Sequence, residues 1–297
     1  MMKNPISPLV IIAAICLASF LISCDVFEID SPDTGIINSD SAKSVVADAL
    51  VMSRLAYAGA SAGYFTDHHP DLSSCSTGQV TILANDADAL ELIYGACRMG
   101  AVTWDGRIAM LSDENDSPYE IVFGDGTNRL RISQSKPTLT FPYIDNGEIL
   151  TLIGDMKVYQ HAKAHDYLMQ DFNVFYNTCD VRILDGDLYI GYDDPAGVQE
   201  FIFSGEVYSN LLPDIECQTM RPFLAGDQSY PYSGVMLVTA LDDGSNVFVI
   251  ADSDASKVSL RIDSDNDSLI DKEITTTWNG LKNSADASLQ KLFDYFW

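Results

Sequence analysis

The stretch richest in metal-binding side chains is Asp263-Ser264-Asp265-Asn266-Asp267-Ser268-Leu269-Ile270-Asp271. Aspartates stand at its positions 1, 3, 5 and 9, and position 7 offers the backbone carbonyl of Leu269. Carboxylates this crowded repel one another. A hard cation such as Ca²⁺ relieves that repulsion and takes oxygen ligands at this spacing. The competing reading is a solvated turn without metal. The four histidines form a second set: His68 and His69 lie between Asp67 and Asp71, and His161 and His165 stand four apart. On a helix over 157–169 that spacing aims both imidazoles the same way, as zinc or copper requires. Surface or linker histidines are the preferred reading.

The acidic run resembles the D-x-D-x-D loops of EF-hands and of calcium-binding repeats in bacterial surface proteins. It departs from the EF-hand at Ser268, where glycine usually makes the sharp turn. It departs again at Ile274, where the closing glutamate belongs and Glu273 is one residue off. Those departures imply weak binding, on the order of 10⁻⁴–10⁻³ M. Val258, Leu260 and Ile262 alternate before the run, and Ile274, Thr276 and Trp278 after it, so the loop is expected at the tip of a hairpin.

The sequence holds six cysteines. The first, Cys16, falls in the N-terminal apolar stretch. Cys75, Cys97, Cys179 and Cys217 are an even set that suits two disulfides in an oxidising compartment. Three pairings are possible, and proximity along the chain favours Cys75–Cys97 and Cys179–Cys217. No C-x-x-C occurs, which removes a redox motif and a cysteine zinc cluster. H-E-x-x-H and phosphate loops are absent, and a serine nucleophile is not expected. Paired carboxylates for glycoside hydrolysis cannot be picked out of so acidic a chain.

The elements that must position these residues read as mostly β. The expected architecture is an antiparallel meander, as a curved sheet, sandwich or partial barrel, with one N-terminal helix. Ser39 or Ser41 can cap that helix. Val45, Val46, Ala49, Leu50, Leu55 and Ala56 recur near helical spacing, and Gly59 and Gly63 mark its end, giving a helix over 39–63. Five dipeptides carry the hairpin signal: Asp105-Gly106, Asp125-Gly126, Asn146-Gly147, Asp185-Gly186 and Asp243-Gly244. A first β-rich unit is expected over 64–160. A second, over 161–297, holds the acidic hairpin and ends in a short helix. Tyr94…Cys97, Trp104…Gly106 and Tyr119…Phe123 are matched by Tyr176…Cys179, Leu184…Gly186 and Gln199…Phe203 at offsets of 82, 80 and 80 residues. Duplication of one unit and chance similarity weigh evenly.

Residues 1–23 read as a signal peptide: Lys3 gives the positive start and residues 9–22 an uncharged apolar run. Leu21-Ile22-Ser23-Cys24 resembles the lipobox of bacterial lipoproteins. The resemblance implies cleavage before Cys24, with diacylglycerol on its thiol and a further fatty acid, such as palmitate, on its new amino group. Residues 24–38 then form an acylated tether. Asp25 resembles the inner-membrane retention signal of enteric bacteria, a lean toward the inner membrane with the outer left open.

Acidic residues number 43 against 17 basic ones, for a net charge of −26. Such a chain repels phosphate backbones and is not expected to bind nucleic acid. The first functional reading is a lipid-anchored envelope domain that binds or scaffolds without catalysis, its partner a protein, glycan or lipid. A curved antiparallel sheet crossed by a helix resembles envelope lipid carriers, which makes a carrier of an apolar molecule the first alternative. A metal-dependent or carboxylate hydrolase is the second.

Overall fold

In the computed structural model the described residues are 35–67, 75–85, 89–99, 102–113, 117–124, 129–134, 148–160, 163–193, 197–226 and 230–293. Helix α1 (Ala42–Asp67) follows a turn over residues 39–41. Its cap is Asn38 rather than Ser39 or Ser41. The Asn38 carboxamide oxygen accepts from the N–H groups of Asp40 and Ser41, both at 3.0 Å, satisfying donors that a helix start leaves orphaned. The Ser41 hydroxyl instead donates to Ile36 O at 2.7 Å. The helix runs through Gly59 and Gly63, since a helical glycine costs only about 1 kcal/mol. Residues 45–55 are buried on every side of the helix, including the polar Asp48, Ser53 and Arg54. A helix apolar all round is an enclosed one.

The enclosure is one antiparallel sheet. Its strands are β1 (Thr77–Asn85), β2 (Ala89–Met99), β3 (Val102–Asp113), β4 (Ser117–Phe123), β5 (Leu130–Gln134), β6 (Ile149–Gln160), β7 (Ala164–Tyr176), β8 (Cys179–Asp193), β9 (Val198–Ser209), β10 (Ile215–Ala225), β11 (Ser233–Ala240), β12 (Asn246–Ala251), β13 (Lys257–Asp263) and β14 (Lys272–Thr277). Each strand pairs with its sequence neighbour except around β4 and β5. Both of these lie between β3 and β6, sharing one strand position end to end. β1 and β14 are the free edges, so the sheet is curved and open rather than a closed barrel. Helix α1 packs on β7, β8, β9, β12 and β13, and on the short helices α2 (Trp278–Lys282) and α3 (Gln290–Phe293). Side chains alternate between a buried face and a half-exposed one, as in β11 and β12, the period-two pattern of a sheet covered on one side. The 160/161 boundary falls between β6 and β7, which a continuous ladder from Leu150–Tyr176 to Gln160–His165 joins. No helix of the described residues is long and apolar enough to cross a membrane.

The Asp-Gly signals divide. Asp243-Gly244 lies in the turn between β11 and β12, with Gly244 at φ 76°. Asp105-Gly106 and Asp185-Gly186 sit inside the long strands β3 and β8. At the latter, the register with β9 slips between Leu184 and Asp187, and Asp185 takes φ 48°. Asp-Gly there supplies a β-bulge, which needs the same positive φ as a tight turn. Asp125-Gly126 and Asn146-Gly147 lie outside the described residues.

The strand pairings coincide at the 80-residue offset. Ile108 pairs with Phe123 and Met110 with Ile121. At the 80-residue offset, Leu188 pairs with Phe203 and Ile190 with Phe201. The cysteine motifs are not equivalent. Tyr94…Cys97 surrounds a bulge within β2, while Tyr176 and Cys179 close the two-residue turn between β7 and β8.

Cys75 and Cys97 form the expected disulfide. Cys179 and Cys217 do not; both are free and buried. Cys217 lies opposite Gly205 on β9, whereas Cys179 lies two residues before Val181, the partner of Ser209. With β9 between them and roughly six residues of offset, they stand about 20 Å apart by strand geometry. A disulfide needs Cα atoms within about 7 Å. Nearness in sequence failed because a meander of long strands carries successive residues far along its axis. Burial pushes both thiols up to about 12, which leaves them unreactive at neutral pH.

Candidate functional site

β13 delivers Asp263 to its end as a buried residue, and the chain then turns outward through Asp265 and Asp267 before returning on β14. One carboxylate oxygen from each of Asp263, Asp265 and Asp267 lies within 4.8 Å of the other two. The loop's own N–H groups hold these carboxylates in place. Asp263 accepts from Asp267 N–H at 3.2 Å and Ser268 N–H at 3.0 Å, and its Oδ2 also accepts from Asn246 Nδ2 at 3.3 Å. Asp265 accepts from Asp267 N–H at 3.3 Å, and Asp267 from Leu269 N–H at 2.8 Å. Ser268 takes φ 71° and Asn266 φ 60°. Position 6 therefore adopts the left-handed backbone that glycine usually serves, at a cost the loop's hydrogen bonds offset.

Asp271 does not join the cluster. Its Oδ2 accepts from both Ser264 N–H and Ser264 Oγ at 2.7 Å, and its own N–H donates to Ile262 O at 2.8 Å. Position 9 thus closes the neck of the loop, leaving three clustered carboxylates rather than four. Leu269 and Ile270 occupy the exposed tip. Trp278 is not on the returning strand. β14 ends at Thr277, whose hydroxyl caps α2 by accepting from Gly280 N–H at 2.9 Å, and Trp278 is buried in α2.

Two close approaches, one to a backbone carbonyl and one to a side chain, fix the loop against its neighbours. A Cβ on Gly35 would stand 2.0 Å from the Ser264 carbonyl oxygen, and one on Gly244 would stand 2.4 Å from Asn266 Nδ2. Residues 35–37 are therefore part of this site rather than free tether. Ile36 N–H donates to Asp243 Oδ2 at 2.7 Å, and Ile37 N–H to Ser245 Oγ at 2.9 Å. Although burial raises the Asp243 carboxyl, hydrogen bonds from Ser245 and Ile36 hold it below the ordinary carboxylate range. The acidic loop, the β11–β12 turn and residues 35–37 make one end of the fold.

His165 is the one histidine among the described residues. β6 ends at Gln160 and β7 begins at Ala164, so no helix spans 157–169. His165 is paired with Gln160 across the hairpin and stacks on Tyr167, ring centroids 6.0 Å apart. His68, His69 and His161 lie outside the described residues, as does Cys24. Among the described residues, Asp263, Asp265 and Asp267 are the one group of three or more such side chains placed to hold a metal.

Two serine patterns escaped the motif reading. Gly59-Ala60-Ser61-Ala62-Gly63 spells G-x-S-x-G, but it lies within α1 rather than at a strand-to-helix elbow. Ser133-Gln134-Ser135-Lys136 spells S-x-x-K, with Ser133 on β5. Asp48 is a further residue that periodicity concealed among apolar neighbours. It is buried in α1, accepts from Asp286 N–H at 2.8 Å, and has its carboxyl pushed up to about 6 by burial. No protein-family model, no curated protein and no solved structure matches this chain.

Proposed function

We propose that the chain is a non-enzymatic binding or scaffolding domain of the bacterial cell envelope, held to a membrane by acyl chains on Cys24. The observation that carries the binding role is the outer face of β10–β13. Val235 and Leu237 lie opposite Ile250 and Phe248, all four half-buried on the face away from the core. Gln218 and Arg221 flank them on β10, and Ser259 and Arg261 on β13. An apolar centre inside a polar, charged rim is the make-up of a protein-docking surface. The carrier alternative needs an apolar chamber between helix and sheet. Val46, Ala47, Val51, Met52 and Leu55 have no exposed surface at all, which supports the docking reading over the carrier.

The test is photo-cross-linking in cells, with a photoreactive residue replacing Leu237 in the full chain and a control replacing the exposed Gln170 on β7. A discrete adduct at 237 but not at 170, lost on Arg221→Glu plus Arg261→Glu, is the expected result. No adduct at 237, or equal labelling at 170, removes this face. Cys24→Ser in the same strain should abolish fatty-acid labelling and membrane retention; unchanged labelling would remove the anchor.

The acidic loop serves this domain as a weak structural Ca²⁺ site built on Asp263, Asp265 and Asp267, with the Leu269 carbonyl and water completing the ligands. At ten times the dissociation constant, Ca²⁺ should add about 1.4 kcal/mol of stability. A thermal melt in millimolar Ca²⁺ should lie above one in chelator, and Asp265→Asn plus Asp267→Asn should erase the difference. A melting point indifferent to Ca²⁺ would remove the ion from the loop.

A further inference from the structure

We infer that the acidic end of the fold docks on the lipid surface to which the chain is anchored, with Leu269 and Ile270 entering the lipid. The inference rests on the anchor proposed above. Nine large apolar side chains are exposed among the described residues, and three of them are Leu269 at 65%, Ile270 at 46% and Leu241 at 38%. They come from two different turns, which Gly244 brings into contact through Asn266. Leu269 and Ile270 are adjacent at one exposed tip, and Leu241 lies on the β11–β12 turn at the same end of the fold.

What covers this tip follows from where the chain enters the fold. Gly35, the first of the described residues, packs on Ser264 and Ser245 beside the loop. Ten residues lie between Cys24 and Gly35, and the eleven steps from one to the other, at about 3.3–3.6 Å each, reach at most roughly 40 Å. Acylation at Cys24 therefore holds this end within that distance of the bilayer. It also makes docking intramolecular, so a contact too weak to recruit a free protein suffices. The chain's net charge of −26 speaks against attraction to anionic headgroups, so the apolar tip is the element that engages lipid. The opposite end of the same strands carries the β12–β13 turn, with Asp252, Ser253 and Asp254 exposed and no large apolar side chain among them. β12 and β13 are six and seven residues long, which puts that turn about 20 Å from the acidic loop.

The experiment uses the full acylated chain reconstituted in phosphatidylcholine vesicles. An environment-sensitive fluorophore is placed on Leu269→Cys in one sample and on Ser253→Cys in another. Cys179 and Cys217 are buried and Cys75 is bonded to Cys97, so the added thiol is the one that labels. The expected result is blue-shifted emission at 269, quenched by phosphatidylcholine with brominated chains, and neither effect at 253. Ile270→Asp in the 269-labelled protein should abolish both effects, with its melt confirming that it folds. A protein that floats with the vesicles but leaves 269 as water-exposed as 253 overturns docking while keeping the anchor. A protein that does not float overturns both. Equal quenching at the two positions overturns the orientation inferred here.

Discussion

Asp48→Asn is expected to make the protein more stable at neutral pH, by about 2–3 kcal/mol. The Asp48 carboxyl is pushed up to about 6 chiefly by burial, with the Asp286 N–H bond opposing the shift and the Asp286 charge adding to it. A carboxyl whose folded pKa exceeds its unfolded value binds protons more tightly in the native state. Its contribution to stability is therefore fully present below the unfolded value, near 4, and is lost as pH rises through about 6. Above that pH the ionised group costs about 3 kcal/mol, from a shift of about two units. Asparagine keeps an oxygen for the Asp286 N–H and carries no charge. The variant should melt higher at pH 7, by about 2–4 °C per kcal/mol for a domain of this size. At pH 4, where Asp48 itself is largely protonated when folded, the difference should shrink. An unchanged or lowered melting point at pH 7 would mean that the charge is compensated inside the fold.

Opening the Cys75–Cys97 bridge is expected to have an effect of similar size and opposite sign. The two residues are 22 apart in sequence, and closing a loop of that length stabilises by about 3 kcal/mol in the chain-entropy account. Cys97 is buried on β2 and Cys75 lies just before β1, so the bridge ties the start of the first hairpin to its partner strand. Cys75→Ser plus Cys97→Ser should lower the denaturant midpoint with little change in slope. Cys179→Ala plus Cys217→Ala breaks no covalent bond, and its smaller loss would come only from the sulfur volume removed. Thiol titration of the mature chain in denaturant should find two reactive groups, Cys179 and Cys217. Finding none would restore a bridge that the register forbids.

The loop from Asp263 to Asp271 was legible because its spacing is a local property. A hairpin tip between two alternating runs follows from a dozen residues, and β13 and β14 pair accordingly. The cluster's real membership was not. Asp271 fits the ligand pattern, yet its oxygen answers two donors on Ser264, a competition that spacing does not encode. Asp105-Gly106 and Asp185-Gly186 were misread as turns for a related reason. Positive φ is what the dipeptide supplies, and whether it ends a strand or bulges one depends on the partner strands. The helix start was readable from polarity, but its length was not, because the sheet that encloses α1 rewards apolar and small residues on every face. Asp48 and the Cys179–Cys217 separation belong to the same class. Both depend on contacts between residues far apart in sequence.

Helix α1 packs on β7, β8 and β9 in the middle of the chain, yet the rest of its cover, β12, β13, α2 and α3, comes last. Asp48 is held by Asp286, and Gly35 and Ile37 by Ser264 and Ser245. During synthesis the helix leaves the ribosome long before β12, β13, α2 and α3 exist. Part of its apolar surface must wait, bare or in the care of a chaperone, until nearly the whole chain has emerged. The hairpins of the sheet face no such delay, since almost every strand finds its partner in the next one made. Assembly is thus a zipper with a late latch. Loss of the last few dozen residues would spare most strand pairings and still strip α2 and α3 from the helix, turning a small truncation into an aggregation-prone product.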